Sequence, residues 1–98
     1  MAYNFSAEKR GEQDLQILHK RLSKFDLIEF FTVDVSAESF TLGISIPFKV
    51  MDDPRFENEL EKTMSYLVSE EGFQVTDLYT GKAIAAGDIS GLARQISG

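Results

Sequence analysis

Residues 40–48, Phe-Thr-Leu-Gly-Ile-Ser-Ile-Pro-Phe, alternate without exception between large apolar side chains and small or polar ones. Phe40, Leu42, Ile44, Ile46 and Phe48 fall on one side of an extended chain; Thr41, Gly43, Ser45 and Pro47 fall on the other. A helix would scatter the five apolar residues around its circumference, so the segment reads as a β-strand with one buried face. Pro47 has no amide hydrogen for a ladder, which places this end at a sheet edge or at the strand's own limit. The opposite face carries no charge at all. Either Pro47 marks an edge where the sheet stops, or the small residues are covered by a second copy of the chain or by a helix of the same chain such as residues 89–96.

A strand of this kind needs neighbours, and the flanking sequence supplies them. Residues 27–35 are rich in β-branched and aromatic types and read as a second strand. Phe31, Val33 and Val35 share one of its faces, and Ile28 and Phe30 the other. Apolar residues on both faces predict a central strand, joined to 40–48 by a hairpin loop at 36–39. Residues 1–5 read as an arm whose two aromatics pack on the body. Ser6 is a candidate helix cap with Glu8 in the first turn, and Gly11 weakens that start, so a firm helix is expected from Glu12. Leu15, Leu18, Leu22 and Phe25 form its apolar face.

Downstream, Asp53 and Pro54 suit the cap and first position of a second helix. Its buried stripe is Phe56, Leu60, Thr63, Met64, Leu67 and Val68. Gly72 ends it in a left-handed cap with Phe73 packing back. Residues 73–79 and 82–86 read as two further strands around a Thr80-Gly81 turn. Asp88 caps a last helix with Ile89, Leu92, Ala93 and Ile96 inward. The expected order is α-β-β-α-β-β-α: a single α+β domain over residues 1–98, with an antiparallel four-stranded sheet and helices mainly on one face. A shift of 45 residues aligns Leu15 with Leu60 and Leu22 with Leu67 and little else, so the doubled order carries no evidence of duplication.

Composition narrows the chemistry. The chain of 98 residues has no cysteine and one histidine. That removes disulfides, thiolate metal sites and cysteine nucleophiles. His19 is followed by Lys20 and Arg21, which repel a cation, and reads as a surface residue. Asp52 and Asp53 are explained by helix capping rather than by acid–base work. Thr80-Gly81-Lys82 shares only the tail of a phosphate-binding loop and leads into a strand. No catalytic, cofactor-binding or metal-binding residue is assigned, and a non-enzymatic chain without cofactor is expected. The first ten residues lack an apolar core segment and no run is long enough to cross a bilayer, so a cytoplasmic, non-membrane location is expected.

Charge is unevenly placed. Residues 1–26 carry five basic and four acidic side chains, and residues 27–98 carry five and twelve, for a net charge of −6. An acidic body disfavours nucleic acid. The basic cluster His19, Lys20, Arg21 and Lys24 reads first as a solvated helix end, and second as a strip that meets the acidic second helix of another copy. Tyr66, off the main stripe of its helix, and Tyr79, beside a turn, are candidate contact residues. The interface candidates are therefore Thr41, Gly43, Ser45, Lys20, Arg21, Lys24, Tyr66 and Tyr79. They predict a protein-interaction domain acting as a homodimer. An acidic inhibitor or immunity-type protein that covers a basic surface is the alternative. A small-molecule site fed by Phe30, Phe31 and Tyr79 is a third reading.

Overall fold

A computed structural model describes residues 1–11, 14–35 and 38–97, with Leu15 and Val35 described by their backbone alone. The elements run β1 (Ala2–Arg10), α1 (Leu15–Leu22), β2 (Glu29–Val35), β3 (Ser39–Pro47), α2 (Phe56–Ser65), β4 (Gln74–Asp77), β5 (Ala83–Ile84) and α3 (Leu92–Ser97). The sheet is antiparallel with five strands in the order β2-β3-β1-β4-β5. The α+β class and the antiparallel sheet match the sequence reading; the strand number and the order of elements along the chain, which opens on a strand, do not.

The main correction lies at the start of the chain. Residues 1–5 are not an arm and Ser6 caps no helix: both belong to β1, the central strand, which pairs with β3 along its whole length and with β4 through Phe5↔Asp77 to Glu8↔Gln74. Phe5 and Ala7 are fully buried, while Asn4 and Glu8 on the other face are exposed. The alternation is there in the sequence, but Ala-Glu-Lys-Arg is also good helix material, and a strand whose second anchor is only an alanine has a weak signature. Gly11 is a turn residue rather than a weak helix position. It holds φ +92° and donates its amide hydrogen to the Glu38 carbonyl at 2.8 Å. Asp14 caps α1, its carboxylate accepting from the Gln16 and Ile17 amides. The helix start expected at Glu12, and part of the loop at 36–39, lie outside the described residues.

β3 carries the core as its pattern requires. Phe40, Leu42, Ile44 and Ile46 are buried against Phe5, Ala7 and Val75 from the same sheet face and Leu18, Leu22, Leu60, Met64 and Leu67 from the helices. Pro47 is its last residue. Phe48 leaves the pattern, 40% exposed, because the chain turns there into a 3-10 segment, Phe48–Asp52. β2 is the edge strand rather than a central one. Its inner face packs on the core through Ile28 and Phe30, but Phe31 and Val33 are 52% and 59% exposed.

α2 buries the expected stripe, with Val68 partly covered. It begins later than expected. Asp53 does not cap it; its carboxylate accepts from the Arg55 amide and pairs with the Arg55 guanidinium at 3.1 Å. The last turn, Tyr66–Glu70, is π-helical, and Gly72 at φ +73° ends it. The Phe73 amide then reaches back to the Leu67 carbonyl at 2.8 Å, one residue further than a usual left-handed cap, as the wider π turn demands. Before α3, a 3-10 segment (Ala86–Gly91) carries Asp88 as its third residue, where the carboxylate accepts from the Ala85 amide. Ile89, Leu92 and Ala93 are buried in the core, so this segment covers the same face as α2 and not the small residues of β3.

Candidate functional site

The small face of β3 is covered from within the chain. Gly43 pairs with Phe31 across β2 and β3, and the Phe31 ring lies over it so closely that a methyl at Gly43 would overlap the ring. An aromatic over a strand glycine replaces the packing that the glycine cannot give. Thr41 and Ser45, on either side, stay half-buried.

Two members of the basic cluster, Arg21 and Lys24, are likewise engaged inside the chain. The Arg21 guanidinium donates to Glu71 Oε1 at 2.8 Å, and Lys9 approaches the same carboxylate at 3.7 Å. Tyr66 is not an exposed contact residue. It is buried, its hydroxyl donates to Glu71 Oε1 at 2.6 Å, and the Lys24 ammonium lies 5.4 Å from its ring centre. The Tyr66 bond, with Arg21 behind it, holds the Glu71 carboxyl below the usual range against the opposing effect of burial. Burial first, and Glu71 second, push the Tyr66 phenol up. Arg21 and Lys24 therefore tie α1 to the end of α2, whereas Lys20 is exposed. Tyr79 is 81% exposed and stacks on Tyr3 with ring centres 5.5 Å apart, at the far side of the sheet from Phe30 and Phe31. The eight interface candidates do not converge on one surface, and Tyr79 cannot share a pocket with the two phenylalanines.

What the fold does bring together lies at the β2 edge. Between α1 and β2 runs a cleft of about 190 Å³, lined by the apolar side chains of Leu18, Leu22, Phe25, Ile28, Phe30 and Leu42 and bordered by Phe31. His19, Ser23 and Thr32 give it a polar rim. Cavities that hold small-molecule ligands are typically larger, about 300–1,000 Å³, whereas about 150 Å³ suffices for one benzene ring. The cleft thus fits one bulky side chain. Beside it, β2 offers one side of its backbone to no other strand of the sheet. Its register with β3 slips between Thr32 and Asp34, so that Val33 is the bulged residue at an exposed position. Sequence reading missed this site because it rests on strand order: a β2 in the centre of the sheet would have neither edge nor cleft.

A second hollow of about 630 Å³ opens between the end of α1 and α2, where Lys24, Arg55 and Lys62 face Glu59, Glu61 and Glu70. Its mixed signs cancel, and it gives no charged ligand an advantage. Among the described residues no three acids or histidines are placed to hold a metal ion, and no helix is long and apolar enough to cross a membrane. No protein-family model matches the chain, and comparison with curated proteins and solved structures found no match.

Proposed function

We propose that the chain is a non-enzymatic protein-interaction domain that binds along the β2 edge and the cleft beside it. The observation that carries this reading is the coincidence of three features: an unpaired strand edge, two exposed apolar side chains on it, Phe31 and Val33, and an apolar cleft opening next to it. The bulge and the charged residues Glu29 and Asp34 guard the edge against indiscriminate pairing, while Phe31 and Val33 leave its middle apolar. Recognition by strand addition uses the same two parts, backbone bonds for affinity and a side-chain pocket for selectivity. Of the features that pointed to a homodimer, Gly43 is covered by Phe31 and Arg21 and Lys24 are engaged within the chain, while Thr41 and Ser45 stay half-buried and Lys20 exposed. A dimer through the β2 edge remains one form of this function.

Val33→Lys tests the reading. Val33 is exposed at the bulge, so the change should move stability by no more than about 0.5 kcal/mol. Partners captured by the unaltered chain, and any dimer seen by light scattering at low micromolar concentration, should be lost with Val33→Lys at an unchanged melting temperature. Retention of both would remove the β2 edge as the binding surface.

A further inference from the structure

The edge strand has a charge pattern of its own. Glu29 pairs with Ser45 and Asp34 with Thr41, so the two carboxylates stand on the same sheet face as Phe31, one at each end of it. Both are exposed, and among the described residues no ion pair reaches either of them. A strand added here meets an acid, an aromatic and an acid in turn on one face, and the apolar cleft on the other.

A second copy fits this pattern poorly. Self-pairing of β2 about a two-fold axis would line four carboxylates along one seam and join two bodies that each carry −6. Like charges at adjacent cross-strand positions are destabilising. A partner with basic residues instead gains at both ends, and the acidic body of the chain steers it in.

From this we infer that the occupant of the β2 edge is an extended segment of another protein, in which two basic residues four positions apart flank a small apolar residue, and a bulky apolar side chain between them enters the α1–β2 cleft. The inference rests on the protein-interaction reading and adds the chemistry of the partner. The basic residues meet Glu29 and Asp34, the central residue packs on Phe31, and the side chain one position away turns to the opposite face, where the cleft holds one such group. This is also the geometry by which an acidic inhibitor would hold a basic partner.

The test uses a capped Gly-Ser-flanked peptide with the core Arg-Phe-Val-Phe-Arg, whose palindromic order lets it pair in either direction. Two control cores are Glu-Phe-Val-Phe-Glu and Arg-Ala-Val-Ala-Arg. Binding is read by amide shifts and hydrogen exchange over residues 29–35. The basic peptide is expected to protect β2 and to bind at least tenfold more tightly than either control, and the double variant Glu29→Lys/Asp34→Lys should reverse the charge preference. Equal binding of the basic and acidic peptides at β2 overturns the basic partner while leaving the edge as the binding surface. Protection of β2 that depends only on protein concentration does the same in favour of a second copy. If no condition protects β2, the interaction reading fails with it.

Discussion

Gly43 and Phe31 form one unit spread over two strands. The glycine makes room for the ring, and the ring supplies the cover that the glycine lacks. Gly43→Ala should therefore cost about 1 kcal/mol in the unaltered chain, because the new methyl displaces Phe31 into solvent, although alanine is otherwise the better strand residue. In a Phe31→Ala background the same change should be neutral or stabilising. Urea unfolding of the four proteins gives the coupling directly, and additive effects would show that the ring and the glycine are independent. The sequence announces Gly43 as an unusual residue in a strand, but its partner lies twelve positions earlier in the chain and is identified only by the β2–β3 register.

At the level of elements, the turn after β4 is fastened to β1 by one carboxylate. Asp77 accepts from the Tyr79 and Thr80 amides at 2.8 and 3.1 Å and from the Tyr3 hydroxyl at 2.7 Å. Burial first, and Asp77 next, push the Tyr3 phenol up to about 12. An unfolded tyrosine releases its proton near pH 10, so the folded state holds a proton that the unfolded state has lost. Stability is then complete below pH 10 and falls as the pH rises to about 12. Denaturation midpoints measured across that window should fall more steeply for the unaltered chain than for Tyr3→Phe; parallel slopes would mean that Tyr3 does not take part. Tyr66 adds to the fall in both proteins. The element types from residue 40 to residue 77 were legible because each is marked by local chemistry: strict alternation at 40–48, an apolar stripe at 56–68, and Gly72. β1 was not, since Ala7 is a weak β signal and the Phe5 pattern is completed only by β3 and β4. The α1–β2 cleft was not legible for the same reason, because no local rule gives strand order.

For the molecule as a whole, β1 is the axis on which the sheet is assembled. It alone joins β3 to β4, and through them the β2 edge to the β5 edge. Removing residues 1–10 would cost little if they were an arm and the weak start of a helix. As the central strand they are indispensable: the truncated chain should lose its cooperative thermal transition and its dispersed amide spectrum. A folded truncated chain would disprove the topology. The same connectivity sets an order on events during synthesis. Phe5 leaves the ribosome before either of its ladder partners, Ile44 and Asp77. The centre of the sheet is thus the first part of the sheet to be made, and it is not complete until β4 arrives. Until the residues of β4 emerge, Phe5 and the apolar face of β3 have no finished core to enter, and the nascent chain depends on whatever shields them in the meantime.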